Sequence, residues 1–244
     1  EPHPTRDYTE RMLKAFGVDI DFSPGFARLR GGQRLNATDI AVPADFSSAA
    51  FFLVAASIIP GSELRLRAVG LNPRRTGLLQ ALRLMGADIT EENASEHGGE
   101  PVADLVVRHA PLRGIAVPEA LVPDMIDEFP ALFVAAAAAE GPTVVTGAAE
   151  LRVKESDRLA AMANGLRTLG LRVDETPDGA TIFPGPQQGG VVDSHGDHRI
   201  AMALSIAGQL AKGEVRVGDV ANEATSFPNY DALATGAGFG LRKV

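Results

Sequence analysis

The chain has 244 residues, of which 45% are hydrophobic, and its formal net charge is −8. That length allows a full hydrophobic core in one large domain or slightly more. The negative charge argues against general nucleic-acid binding, which depends on many Lys and Arg contacts to phosphates. The absence of cysteine excludes disulfides and agrees with a reducing compartment, so we expect a cytoplasmic protein. The longest apolar stretches, 49–60 and 131–139, fall short of the roughly 20 residues that cross a membrane, and we expect no membrane partner.

The first segment predicts a helix followed by a hairpin. The opening Glu1-Pro2-His3-Pro4 leads directly into a helical pattern over 5–16, and we expect the chain to begin inside a longer protein. Alternating residues at 20–22 and 26–29 flank Ser23-Pro24-Gly25, which is typical of a hairpin turn.

From residue 44 onward, the sequence repeats one pattern three times. An acidic residue precedes an apolar helix that ends at a glycine, and a short strand and a second helix follow. The predicted apolar helices are 47–59, 130–139 and 199–211, the strands after them 64–69, 143–146 and 214–217, and the second helices 74–85, 154–169 and 226–234. Further short strands are predicted at 88–90, 172–174, 181–183 and 240–242. Such units cannot bury their apolar helices alone, so we expect an α/β fold with central parallel helices and sheets outside.

Parallel central helices bring their acidic caps to one end of the molecule. That end would collect Asp127, the charged stretch 150–158 and the sequence Asp197-His198-Arg199. Converging helix N-termini favour anions, because their unpaired N–H groups and dipoles point toward the same space. We therefore predict a site for phosphates and carboxylates at this end of the fold.

Each candidate residue in this site also has an ordinary structural interpretation. Asp127 is either the N-cap of its helix or a general base. Lys154, Glu155 and Arg158, expected in the first turn of helix 154–169, form either an exposed ion-pair network or a phosphate site with a second carboxylate. His198, beside the fork-shaped guanidinium of Arg199, is either structural or functional.

A further candidate lies at the start of the first helix. Thr5 and Arg6 offer a hydroxyl and a guanidinium that suit a phosphate, although a capped helix beside a solvated arginine explains them equally. No spacing typical of metal ligands occurs, and no Gly-rich dinucleotide or nucleotide loop is present in the sequence.

Six short stretches in order resemble the enolpyruvyl transferases, and most closely the branch that acts on shikimate 3-phosphate. These stretches are 5–10, 45–49, 126–128, 151–158, 197–202 and 225–228. The resemblance implies an inside-out α/β barrel of repeated βαβαββ-like units and a site between two domains. It further implies that 1–43 is the tail of the first domain, that 44–244 forms most of the second in three units, and that an N-terminal half is missing from the chain.

The resemblance also implies a reaction and roles for individual residues. The enolpyruvyl group of phosphoenolpyruvate passes to the 5-hydroxyl of shikimate 3-phosphate, phosphate is released, and no cofactor is required. By that resemblance Asp127 is the base facing the hydroxyl, and Glu155 handles the proton at the methylene carbon. Residues matching substrate contacts are Thr5, Arg6, Lys154, Arg158, His198 and Arg199.

Two positions depart from the common pattern, and two other functions stay open. Thr225 stands where many members have Lys, and Glu150 stands where many have Asn. One alternative is a noncatalytic anion-binding domain, or half of a split enzyme that needs a separate partner chain. The other is a related transferase that acts on a UDP-sugar. We expect this chain alone to turn over little or not at all, and the complete enzyme to be monomeric.

Overall fold

The first described elements are a helix and a two-stranded hairpin. The computed structural model describes residues 5–243, so residues 1–4 of the expected first-domain tail and residue 244 lie outside the described part. Helix α1 spans Tyr8–Ala15, and strands β1 (Ile20–Ser23) and β2 (Phe26–Leu29) pair antiparallel. The hairpin is as predicted, whereas the helix begins three residues later than expected and leaves Thr5 and Arg6 in the segment before it.

The rest of the chain alternates helices and strands in three units. The first contains α2 (Phe46–Ile58), β3 (Glu63–Gly70), α3 (Gly77–Leu84), β4 (Asp88–His97) and β5 (Glu100–Arg108). The second contains α4 (Phe129–Ala138), β6 (Thr143–Val145), α5 (Arg158–Thr168), β7 (Arg172–Thr176) and β8 (Gly179–Phe183). The third contains β9 (Gln188–Asp193), α6 (His198–Gly208), β10 (Lys212–Gly218), α7 (Glu223–Ser226) and α8 (Tyr230–Gly236). Short 3-10 helices lie at Glu119–Leu121, Pro123–Met125 and Ala149–Val153.

Each central helix connects two segments that pair in parallel. Strands β9 and β10 are parallel and flank α6, and single parallel bridges, Ala44 to Val69 and Ala116 to Val144, flank α2 and α4 in the same way. Parallel partners need a long crossover, which a helix supplies. In the first two units an antiparallel pair then completes the sheets β3-β5-β4 and β6-β8-β7. This order reproduces the expected βαβαββ unit.

The central helices are buried because they are apolar on every side. In α4 every residue from Phe129 to Ala137 is buried, and α2 is buried along nearly its whole length. Helices α2, α4 and α6 contact one another in pairs, and the sheets pack around them. The predicted inside-out α/β architecture is therefore confirmed. No helix within residues 5–243 combines the length and the apolar character that a membrane crossing requires.

The fifth helix begins later than the sequence predicts. The helix expected over 154–169 starts at Arg158, because the side chain of Asp157 accepts a hydrogen bond from the backbone N–H of Ala160 at 3.0 Å and caps it there. Lys154 has an extended backbone, so it lies in the loop before the helix together with Glu155. The prediction that these two residues occupy the first helical turn was wrong.

The last unit also differs from its prediction. The helix expected over 226–234 is divided into α7 and α8, because Pro228 holds the preceding residue, Phe227, out of the helical conformation. The strand expected at 240–242 is absent from the described part of the chain. There the backbone N–H of Gly240 donates to the side chain of Gln209 instead of to a neighbouring strand.

Packing of the central helix α4 should be a major source of stability. Leu132 is fully buried on α4, whereas Leu84 on α3 is 58% exposed. We expect Leu132→Ala to lower the free energy of unfolding by about 2–5 kcal/mol, through lost burial and a residual cavity. Urea unfolding measures the effect, with Leu84→Ala as the matched control. Equal losses in the two variants would contradict the assignment of α4 to the core.

Candidate active site

The starts of the three central helices meet at one end of the fold. The Ser47 hydroxyl, in the first turn of α2, donates to the Glu128 carboxylate, at the N-cap position of α4, over 2.5 Å. The Arg199 guanidinium, in the first turn of α6, lies 3.4 Å from the same carboxylate and donates to the backbone oxygen of Asp127 at 3.0 Å. The predicted convergence of helix N-termini is therefore present.

Asp127 lies at this meeting point and is surrounded by cations. Its carboxylate is 3.2 Å from the Arg75 guanidinium, 3.6 Å from that of Arg158 and 3.8 Å from the Lys154 ammonium, and it also pairs with Arg6. The expected caps at Asp45 and Asp197 do cap α2 and α6. In α4, however, Glu128 holds the N-cap position, and no side chain caps that helix. The interpretation of Asp127 as an N-cap is therefore wrong, because its carboxylate faces four cationic side chains.

These cations control the ionisation of Asp127. Burial alone would raise the pKa of this carboxyl group, but the positive charges of Arg199, Arg6, Lys154 and Arg75 outweigh it and hold the pKa below its usual value. Asp127 is consequently ionised at neutral pH. In this state the carboxylate is a weak base, and any ligand that draws the cations away would make it a stronger one.

Arg158 is a buried cation that holds two parts of the site together. Its side chain is 1% exposed, and its Nε donates to Asp197 at 2.8 Å while its Nη2 donates to Glu155 at 2.6 Å. Asp197 also accepts from the Arg199 backbone N–H at 2.9 Å and from the Ser156 hydroxyl at 3.0 Å. Although burial opposes ionisation, these hydrogen bonds and the charge of Arg158 lower the pKa of Asp197. Helices α5 and α6 are thus joined through one ionised carboxylate.

One donor of Arg158 stays free among the described residues. Its Nη1 is buried without a hydrogen-bond partner and points toward Asp127, 3.6 Å away. A buried donor without a partner is costly, so an acceptor from a bound anion would be favourable at this position. Two carboxylates at the site are more accessible: Glu155 is 55% exposed, and Glu150, which pairs with Lys154 at 2.5 Å, is 62% exposed.

The remaining predicted site residues lie at the edges of this cluster. Thr5 is exposed and immediately precedes Arg6. His198 is half-buried at the start of α6. Burial and the neighbouring charge of Arg199 lower the pKa of His198, so its ring is neutral at pH 7. Within residues 5–243, no group of His, Asp or Glu side chains is arranged to hold a metal ion.

Sequence reasoning missed three residues of the cluster. Arg75 was expected within a helix over 74–85, but it lies before α3 and contacts both Asp127 and the Ser47 hydroxyl. Glu128 and Ser47 belong to stretches that carried the family resemblance, yet neither was predicted as a site residue. Two sequence signals could have identified them: Glu128 directly follows Asp127, and Ser47 lies at the start of an apolar helix.

Solved structures define the class of this fold. The chain superposes on the EPSP synthase of Acinetobacter baumannii with a TM-score of 0.95 and 51% identity, covering 98% of this chain and 56% of that one. It also superposes on the enolpyruvyl transferase NikO of Streptomyces tendae with a TM-score of 0.74 and 21% identity, covering 94% of this chain and 52% of that one, which shows a shared fold. The architecture is that of the enolpyruvyl transferases.

The sequence comparisons identify the family within that class. The chain belongs to the EPSP synthase (3-phosphoshikimate 1-carboxyvinyltransferase) family, which matches residues 1–233. It is 82% identical over 241 residues to the 3-phosphoshikimate 1-carboxyvinyltransferase of Xanthomonas euvesicatoria pv. vesicatoria, covering 99% of this chain. The homologous protein of Xanthomonas axonopodis pv. citri is 81% identical. The chain spans 55% of the length of each of these two relatives.

The cations around Asp127 should set its pKa. We expect Lys154→Gln to raise that pKa, because it removes one of the charges that favour the carboxylate. The pKa of Asp127 is lower in the folded protein than in the unfolded chain, where it is about 3.9. The ionised carboxylate therefore stabilises the fold above a pH of about 3.9, and this stabilisation is lost as the pH falls through the folded pKa. Carboxyl ¹³C NMR titration measures the change. Lys14→Gln, an exposed lysine on α1, is the control, and an unchanged pKa in Lys154→Gln would contradict the electrostatic cause.

Asp197 should be essential for stability because Arg158 is buried beside it. We expect Asp197→Asn to lower the free energy of unfolding by about 2–4 kcal/mol, since it removes the fully buried counter-charge of Arg158 and leaves the exposed Glu155 and the more distant Asp127, while Asn can still cap α6. Urea unfolding at pH 7 measures this loss. The control is Asp174→Asn, which breaks an exposed pair with Arg172 and should change stability little. A loss no larger than that of the control would show that Arg158 does not need its partner.

Proposed function

We propose that this chain supplies part of the active site of an enzyme that transfers the enolpyruvyl group of phosphoenolpyruvate to the 5-hydroxyl of shikimate 3-phosphate and releases phosphate. The observation that carries the proposal is the cluster around Asp127, where Arg6, Arg75 and Lys154 all reach one largely buried carboxylate. Membership of the EPSP synthase family supports the choice of substrates. It also favours this reaction over transfer to a UDP-sugar.

The charges of the cluster suit this pair of substrates. Shikimate 3-phosphate and phosphoenolpyruvate each carry a phosphate and a carboxylate, so they repel each other unless cations lie between them. Fixed guanidinium and ammonium groups can position both molecules and neutralise their charge. We assign Thr5, Arg6 and Lys154 to shikimate 3-phosphate. We assign Arg158, His198 and Arg199 to phosphoenolpyruvate.

The two carboxylates then have separate tasks. Asp127 accepts the proton of the 5-hydroxyl as its oxygen attacks C2 of phosphoenolpyruvate, while Glu155 delivers a proton to the methylene carbon. The product of this step is a tetrahedral intermediate. Glu155, now ionised, takes a proton back from the new methyl group as phosphate leaves, which restores the carbon–carbon double bond. The substrate anions compete for the cations that lower the pKa of Asp127, so binding would make this carboxylate a better base.

The two departures from the common pattern have local explanations. The Glu150 carboxylate pairs with Lys154, so it would orient the ammonium group that we assign to shikimate 3-phosphate. The exposed Thr225 donates its hydroxyl hydrogen to the backbone oxygen of Asn222. We propose no substrate contact for Thr225, because its short side chain lacks the charge of a lysine.

The rest of the assembly follows from this function. Residues 1–43 would close a first domain, 44–244 would form most of a second, and the substrates would bind between them. The other contacts would come from the part of the relatives that this chain does not span, so the chain alone would bind substrates weakly. We propose a cytoplasmic, monomeric complete enzyme without a cofactor, nucleic-acid partner or membrane partner. A separately supplied first half would be a partner of this chain.

The reaction can be tested by complementation. The chain is mixed with a polypeptide containing the part of the Xanthomonas euvesicatoria relative that it does not span, and phosphate release is followed with both substrates. We expect turnover that falls about 10²–10⁴-fold in Asp127→Asn and in Glu155→Gln, because each removes a proton-transfer group. Asp174→Asn and Glu91→Gln, in exposed ion pairs, are the matched controls.

Two outcomes would change the proposal. Unchanged turnover in Asp127→Asn would remove this residue from the chemistry. A complemented protein that binds inorganic phosphate in calorimetry but never releases it from phosphoenolpyruvate would favour the noncatalytic anion-binding domain.

A further inference from the structure

Glu128 is a buried carboxylate to which the proposed reaction gives no task. Its side chain is 1% exposed, and it lies where α2, α4 and α6 begin. It accepts a hydrogen bond from Ser47 at 2.5 Å, and its Oε1 is 3.4 Å from Arg199 and 3.8 Å from Arg75. It occupies the N-cap position of α4 without capping that helix. Among the described residues, its side chain contacts Ser47 of α2, Arg75 before α3 and Arg199 of α6, and so connects α4 to its neighbours.

Burial of this carboxylate is unfavourable in itself. An ionised group removed from water needs counter-charges and hydrogen bonds, and burial raises the pKa of Glu128 while Arg75 and Arg199 oppose that rise. An apolar side chain of similar volume would avoid the desolvation. Without the Glu128 charge, the neighbouring carboxylate left to both arginines would be Asp127, which already pairs with Arg75 and which we propose as the base.

The hydrogen bonds of Arg199 and Arg75 indicate a role for Glu128 in orienting their guanidinium groups. Within the described residues, Arg199 bonds to protein through Nη1 alone, and the other guanidinium N–H groups stay available. Arg75 donates to the Ser47 hydroxyl and to the Asp127 carboxylate, and it lies 3.8 Å from Glu128. Because a guanidinium is planar and rigid, fixing one edge fixes the direction of every remaining donor.

We propose that Glu128 is a positioning residue whose carboxylate fixes the guanidinium groups of Arg199 and Arg75 next to Asp127. Ser47 assists by holding the Glu128 carboxylate and the Arg75 guanidinium together. This inference rests on the proposed function, because Arg199 is the arginine of the pair that we assign to phosphoenolpyruvate. Glu128 itself touches no substrate.

The kinetic test uses the complemented enzyme and the substitution Glu128→Gln, which removes the charge and keeps the shape. We expect the KM for phosphoenolpyruvate to rise about 10- to 100-fold, because a small displacement of a positioning group has an effect of that size. The KM for shikimate 3-phosphate should change less than about twofold. Ser47→Ala should shift the KM for phosphoenolpyruvate in the same direction, by about two- to tenfold for each of the two hydrogen bonds lost, one to Glu128 and one from Arg75. Glu63→Gln, in an exposed pair on β3, is the matched control.

A second measurement does not depend on turnover. Side-chain ¹⁵N NMR of the chain reports rotation of the Arg75 and Arg199 guanidinium groups, with Arg75→Lys and Arg199→Lys providing the assignments. We expect slow rotation in the unchanged chain and faster rotation in Glu128→Gln. If the unchanged complemented enzyme releases no phosphate, the proposed function fails, and this measurement alone decides whether Glu128 positions the arginines.

Several results would overturn the inference. One is a KM for phosphoenolpyruvate within twofold of the unchanged enzyme in a folded Glu128→Gln protein. Another is an equal rise in both KM values together with lower unfolding stability, which would mark a purely structural role. Unaltered arginine rotation in Glu128→Gln would also contradict it. Should Glu128→Gln fail to fold, the Ser47→Ala protein decides: equal effects on the two substrates would reject positioning, and a selective effect would support it.

Discussion

The site depends on the electrostatics of three helix starts that share one small volume. Each helix N-terminus contributes a partial positive charge, and five cationic side chains, Arg6, Arg75, Lys154, Arg158 and Arg199, lie in the same region. Such a concentration of like charge is stable only when anions are interleaved with it. Three largely buried carboxylates, Asp127, Glu128 and Asp197, meet this requirement in the described part of the chain. The carboxylates and the cations therefore have to be understood as one unit.

This arrangement is possible because the helices can approach one another closely. Helices α2, α4 and α6 pack against one another in pairs, and their starts come within hydrogen-bond distance through Ser47, Glu128 and Arg199. Helix α5 approaches α6 at Gly165, where an added Cβ would lie 2.8 Å from the Leu204 side chain. Because the two helices pack closely, Arg158 at the start of α5 lies within hydrogen-bond distance of Asp197 at the start of α6. Residues in the middle of the helices thus control distances at their ends.

The sequence predicted what local patterns determine and missed what long-range contacts determine. Helix period, acidic caps and terminal glycines gave the three central helices and the gathering of Asp127, Arg158 and Arg199, because these signals lie within a few residues. The predicted start of α5 at Lys154 was wrong because Asp157 caps the helix, which therefore begins at Arg158. Strand β5 was missed, as it contains Pro101 and Asp104 among its apolar residues. The position of Arg75 could not be predicted, because its partners are 28 and 52 residues away.

Under the proposed reaction, the cations that attract the anionic substrates also weaken Asp127 as a base until the substrates bind. The cations around Asp127 keep its pKa low in the unliganded protein, so this carboxylate cannot readily hold a proton. Under the proposed reaction, phosphate and carboxylate groups would occupy the donors of Lys154 and the free Nη1 of Arg158, and the positive field at Asp127 would fall. Basicity would then appear only when the anionic substrates are in place. Under the proposed role of Glu128, its carboxylate keeps Arg75 and Arg199 in position while the ligands occupy the guanidinium donors that the protein leaves available.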